Sequence, residues 1–357
     1  MNLLKNPEEI KRRWLECWAM ENHERPLVCV TAPSEKIPRR YQLRQPETLE
    51  ERWLDFDCIV KSARMTLENR HYAGESLPVF NPNLGPDIFG AILGCDISFG
   101  LQTSWCDHPV KDWQSFNPRY DRENPWLKKI IQLTEMAVAE SRGDFLVGVT
   151  DIHPGMDGLV SLRGPQELCY DLYDCPEIIE DMTFRLFDVM TQFYNELQAI
   201  TARNQEGSIC WMHAWHPGRW YVTSCDFNCM VSNEDFRRFI RPELRKETDF
   251  FDANLFHLDG PGALTQLDDL LAEPGINGIQ WVPGDGNPPV SAWPQVLQKC
   301  QAAGKILHLS ARPEELPALA EILKPEGVML MLGGAGTSEQ ADALVKQVET
   351  LWRGKGK

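Results

Sequence analysis

No apolar run in the chain approaches the ~18 residues that a membrane helix needs, and mean hydropathy is -0.36, so a membrane span is excluded. Positive charge is scarce. Thirty-six Lys and Arg stand against 52 Asp and Glu, a formal net charge of -16, which argues against nucleic acid or an anionic membrane as the main partner. The sequence has no Asn-x-Ser/Thr sequon and no Cys-x-x-Cys pair; Cys225 and Cys229, the nearest spacing, lack the second pair of a structural zinc knuckle. Eleven cysteines are an odd number, spread through a chain too long to need staples, so they read as reduced thiols, mostly in the core. Gly-x-Gly-x-x-Gly, the P-loop lysine, Gly-x-Ser-x-Gly and His-Glu-x-x-His are all missing. Nucleotide cradles, serine-hydrolase elbows and zincin helices are thereby set aside. The opening MNLLKNPEEIKRRWLECW is charged too early for a secretory leader, and a cytoplasmic location with a small-molecule ligand is expected.

What is present is an alternation. Eight short apolar, β-rich segments, at 26–33, 77–83, 145–152, 207–215, 254–260, 276–284, 304–310 and 327–333, are separated by stretches of helical periodicity such as 176–204 and 233–254. The economical solution is a single-domain (β/α)8 TIM barrel over 1–357, with residues 1–25 as an N-terminal helical extension. Residues 87–118 and 216–232 exceed a minimal barrel and are expected as insertions after strands, WYVTSCDF included. The GKGK tail is expected to be disordered.

In such a barrel the active site lies at the C-terminal ends of the strands, and those ends are polar here. Period two puts His257 and Asp259 on one face of FHLDGPG, toward the lumen, and Asp151 and His153 on one face of the third segment. A carboxylate beside an imidazole fixes its tautomer or keeps it charged, which suits proton transfer or substrate orientation. The alternative for Asp259 is a helix cap. Asn81 and Asn83 share a face after the second strand and suit ligand hydrogen bonding or a turn. The segment ICWMHAWHPGRWY gathers Trp211, His213 and Trp215, expected to wall a pocket together with Gln280, Trp281 and His308 from later strand ends. Asp226 and Cys225 follow on the next strand-like piece, and either can enter that pocket. Gly333 and Gly334 leave room for a phosphate at the last strand end.

The stretches FHLDGPGALTQLDDLLAEPGINGIQWVPGDGNP and AAGKILHLSARPEELPALAEIL, with NPNLGPDIFGAILGCDISF before them, resemble the uroporphyrinogen decarboxylase-like superfamily, in the branch associated with corrinoid-dependent methyltransferases. The resemblance implies a TIM barrel. It also carries departures. The decarboxylases' Arg-Gln-Ala-Gly-Arg clamp is replaced by PSEKIPRRYQLRQPE, where Arg39, Arg40 and Arg44 remain as candidate anion contacts. The zinc-dependent methyltransferases' His-x-Cys keeps its His as His257 but has Asp259 in the Cys position, and the last strand has no Cys. A His and Asp site is harder than a thiolate site and suits oxygen ligands, so thiol activation is not expected.

The reading is an enzyme that moves a methyl group between a small methylated metabolite and a corrinoid on a partner protein. His257, Asp259, Asp226, Asp151 and His153 would be its catalytic groups, and zinc its candidate metal, with His257, Asp259 and Cys225 as candidate ligands. The alternatives are a metal-independent decarboxylase or lyase, and a non-catalytic pocket protein of the same fold. A homodimer is compatible with all three.

Overall fold

The computed structural model describes residues 3–4, 6–34, 43 and 45–356. Ten strands frame the site: β1 Leu27–Pro33, β2 Arg70–Gly74, β3 Val79–Phe80, β4 Leu146–Val147, β5 Ser208–Ile209, β6 Trp220–Ser224, β7 Ala253–Asp259, β8 Gly278–Val282, β9 Ile306–Ala311 and β10 Val328–Leu332. Seven form one sheet in the order β2-β1-β10-β9-β8-β7-β6, parallel throughout except for the antiparallel edge strand β2. Strands buried on both faces read as continuous apolar runs, which is why VMLML and ILHLSA were legible as strands. The architecture is mixed α/β with a central, mostly parallel sheet, consistent with a TIM-barrel-like fold.

The expected closed ladder of eight is not formed among the described residues. A second arc, β3 beside β4 and a parallel bridge from Val149 to Cys210, faces the large sheet without a ladder to it. Two causes are visible. β2 runs antiparallel along β1 and takes the edge groups that a parallel neighbour would use, and β3, β4 and β5 are only two residues long.

The fourth segment also differs from expectation. β5 turns back at His213, whose φ of +58° is left-handed, and pairs antiparallel with Trp215–His216. The strand that joins the large sheet is WYVTS, expected as an insertion: β6 pairs parallel with β7 from Trp220 beside Ala253 to Ser224 beside His257. Residues 88–116 do form an insertion, with a short helix Ile88–Ile92 and a hairpin of Ile97–Phe99 with Ser104–Cys106.

Helices pack on the outside. Pro176–Thr201 opens on proline, which has no amide to waste at a helix start, and buries Ile179, Met182, Leu186, Met190, Phe193 and Leu197 at helical spacing. The N-terminal helix Pro7–Trp18 is anchored by Trp14, fully buried, whose indole donates to the Glu75 carbonyl. No described helix is long and apolar enough to cross a membrane. At the C-terminus, the Lys355 ammonium donates to the Ala320 carbonyl.

Candidate functional site

Register assembles the site across the strands. His257 on β7 lies beside Ser224 on β6 and Gln280 on β8, and Gln280 lies beside His308 on β9, so four polar residues share one layer. Two residues further along β7, Asp259 sits at the strand end beside Val282. The turn Asp226–Met230 follows β6 and brings Asp226 back over this layer. One ligand atom each from Asp226, His257 and Asp259 falls within 4.8 Å of the others, so the three form a metal-sized cluster of one nitrogen and two oxygen donors.

The donor set fits a divalent ion. His257 Nδ1 contacts Gln280 Oε1, which can only accept, so Nδ1 carries the proton and Nε2 keeps a free lone pair. Neither Asp226 nor Asp259 has its carboxylate in an ion pair or hydrogen bond among the described residues. Three protein ligands leave an open position, as catalytic rather than structural zinc sites do. Asp259 is not a helix cap: the turn from Pro261 starts at Gly260 and has no side-chain cap. Cys225, next to Asp226 in sequence, is buried and is not one of the cluster's ligands. Its burial and the nearby charges of Asp157, Asp226 and Glu243 push its thiol well above 9.

A second group lies beside the first. His153 Nε2 is 3.0 Å from Asp151 Oδ1, and its Nδ1 is 3.0 Å from Ser224 Oγ and 3.9 Å from Asp157 Oδ2. Burial alone would lower this imidazole's pKa, but the charges of Asp151, Asp157 and Asp226 outweigh it and push it up to about 10. His153 is therefore a cation at neutral pH. Asp157 accepts from the amides of Asp226, at 2.8 Å, and Phe227, at 3.0 Å, and so fixes the turn that carries Asp226. Burial pushes Glu243 up to about 8, and burial together with the charge of Glu243 also raises Glu247, one turn along the same helix. His153, Asp157 and Asp226 line a pocket of about 300 Å³ with Phe227 and Met230.

The remaining predicted residues divide. Trp211 meets His257 edge to face at 5.5 Å. Gln280 orients His257, and His308, buried, donates Nε2–H to the Met212 carbonyl at 3.1 Å; its burial pushes its pKa down to about 4. Asn81 Nδ2 donates to His213 Nε2 at 2.9 Å, and His213 lines a separate cavity. The expected aromatic wall is not assembled. Trp215 lies on the opposite side, bonded to the Glu206 carbonyl and under the N-terminal helix, while Trp281, one residue out of phase with Gln280, points outward onto Trp293. Asn83 closes its own turn by accepting from the Gly85 amide. The Gly333 amide is taken by the Ala311 carbonyl, which removes it from a phosphate cradle. Arg39, Arg40 and Arg44 lie outside the described residues.

Sequence reading passed over Ser224, Asp157 and Glu243. Asp157 carries a signal in hindsight, four residues after His153 at the start of the helix Gly155–Arg163. Ser224 and Glu243 are joined to the site only by register and packing, which leave no local pattern.

No protein-family model matches the sequence, and no curated protein matches it significantly. Among solved structures, a methyltransferase from Methanosarcina mazei superposes on 96% of this chain and 99% of its own, with a TM-score of 0.61 at 12% identity. At that identity the likeness is one of fold.

Proposed function

We propose that the chain is a methyl-transferring enzyme of the uroporphyrinogen decarboxylase-like superfamily, with a TIM-barrel-like fold, acting on a small methylated metabolite and a corrinoid supplied by a partner protein. The observation that carries this reading is the convergence of Asp226, His257 and Asp259 at the C-terminal end of the sheet, with His257 Nδ1 committed to Gln280. A divalent ion such as zinc, when bound there, supplies Lewis acidity toward the substrate's heteroatom. The three side chains would hold it, Gln280 fixes the imidazole, Asp157 holds the turn bearing Asp226, and Trp211 covers one side of His257. The oxygen-rich donor set supports a substrate bound through oxygen or nitrogen over one bound as a thiolate.

Metal analysis of the purified protein tests this. One zinc or similar ion per chain is expected, with methyl transfer to free cob(I)alamin followed by its visible spectrum. Asp259→Asn and His257→Ala should each lower metal affinity at least ~10-fold, in line with loss of a ligand or its support. A wild-type protein that takes up no divalent ion sinks the metal-centred reading.

A second reading, a metal-independent decarboxylase or lyase, is favoured by one observation: cationic His153 at the edge of the smaller pocket is placed to give a proton to a carbanion left by CO2 loss. Release of CO2 from small carboxylic acids, abolished by His153→Gln and unaffected by chelator, distinguishes it.

A further inference from the structure

Eleven free thiols are spread through the chain, and in the insertion two of them meet. Cys95 follows the short helix Ile88–Ile92, and Cys106 ends the hairpin of Ile97–Phe99 with Ser104–Cys106. The register sets Ile97 beside Cys106, which brings Cys95, two residues earlier, to the same place. Gly90 leaves the room for it. A Cβ there would lie 2.7 Å from Cys106 Sγ and 3.4 Å from Cys95 Sγ, so both sulfurs converge on one point, and the two thiols are hydrogen-bonded to each other.

Each sulfur also faces a carbonyl in the wall of the smaller pocket. Cys95 Sγ donates to the Ser161 carbonyl at 3.4 Å and Cys106 Sγ to the Asp87 carbonyl at 3.7 Å, while the Ser161 hydroxyl donates to Asp87 Oδ1 at 2.9 Å. Asp87 and Ser161 line the pocket of about 300 Å³ together with His153, Asp157 and Asp226. The thiol pair stands behind that wall.

The two thiols differ in reach. Cys95 is 2% exposed, whereas Cys106 is only partly buried. Core packing accounts for a buried thiol, but it does not call for two sulfurs in contact with one of them open to solvent. The bond to Cys95, burial, and the charges of Asp87 and Asp107 hold the Cys106 thiol far above its ordinary range, so the pair is protonated at neutral pH and reacts slowly.

We propose that Cys95 and Cys106 are a modification site, closing to a reversible disulfide by exchange with a small-molecule disulfide such as oxidised glutathione. The Cys106 thiolate attacks one glutathione sulfur and expels the other glutathione as its thiol; the Cys95 thiolate then attacks Cys106 Sγ and expels the second. Two cysteine thiols lose two electrons and two protons, and one glutathione disulfide gains both to become two thiols. The product has no S–H. The Asp87 and Ser161 carbonyls thereby lose their sulfur donors, and the pocket edge facing His153 shifts with them. None of this depends on the metal centre or on methyl transfer.

The test incubates the full chain with oxidised and reduced glutathione at rising ratios, quenches in acid, unfolds, alkylates with iodoacetamide and digests with trypsin without reduction. No Lys or Arg lies between Arg70 and Lys111, so both cysteines, and no others, fall in the peptide 71–111. That peptide should lose both alkyl groups together and weigh two hydrogens less than the dithiol, and dithiothreitol should restore it. Cys95→Ser should leave Cys106 bearing one glutathione, and Cys106→Ser should leave the buried Cys95 unmodified. A peptide that stays doubly alkylated at ratios where the exposed Cys229 already carries glutathione overturns the site, as does a wild-type Cys106 that keeps its glutathione. For the wall, oxidation should move the His153 imidazole resonances beyond any shift seen in Cys106→Ser. A disulfide that forms and leaves those resonances in place overturns the link to the pocket.

Discussion

His308 contributes to the acid side of the stability curve. Buried and bonded to Met212, it stays neutral in the folded chain with a pKa of about 4, while the unfolded chain protonates it near 6.5. The unfolded state therefore binds more protons between those values, and stability falls as pH drops from about 6.5 toward 4, by roughly 3 kcal/mol at most. His308→Gln should flatten that limb, as measured by urea unfolding at a series of pH values; an unchanged slope would falsify the assignment. At the same scale, a Cβ on Gly148 would lie 1.9 Å from Asn81 Oδ1. Gly148→Ala should displace Asn81 from His213 and perturb the His213 imidazole resonances, with an otherwise native spectrum. The site residues that share a strand face, His257 with Asp259, were legible because parity is local. Gln280 was legible as a strand-end amide but not as the partner of His257, because register depends on which strands meet. The same parity, one residue out of step, carried Trp281 out of the expected pocket.

Among the elements, the N-terminal helix lies over a buried carboxylate. Glu75 is 3% exposed and takes Arg25 in a two-pronged pair, at 2.7 and 2.9 Å, while accepting from the Val28 amide at 2.8 Å. Arg13 from the helix lies 3.6 Å away. Glu75→Gln removes the buried carboxylate and leaves Arg13 and Arg25 only their outer partners, Glu16 at 3.1 Å and Glu349 at 3.5 Å, and should cost about 3 kcal/mol, read from chemical denaturation. Glu75→Gln combined with Arg25→Met should recover part of the loss; if the double variant is no better, the helix is held by Trp14 packing instead. The long strands from β7 onward were legible because each is an uninterrupted apolar run closed by a turn. Residues 207–224 were not: ICWMHAW and WYVTS are equally strand-like, and what separates them is the left-handed turn at His213 and the neighbour offered by β7. Periodicity carries neither.

At the scale of the whole molecule, a metal that binds only the folded chain must stabilise it. Zinc at about 100 times its Kd adds roughly 2.7 kcal/mol, a melting shift of a few degrees for a chain of this length. Asp226→Asn should abolish the shift; an equal shift in that variant places the ion elsewhere. The fold class was legible from the alternation of segments, but ladder closure was not, since it turns on the direction of β2 and on strands two residues long. The sheet order has a further consequence, for synthesis. β7 through β10 each pair with a neighbour made shortly before, whereas β1 pairs with β10, the last of these ten strands to leave the ribosome. At roughly 5–20 residues per second, that flank of β1 waits on the order of 15–60 s for its partner. During that interval the nascent chain presents an apolar strand covered on one side only, by β2, and it is there that a chaperone has most to do.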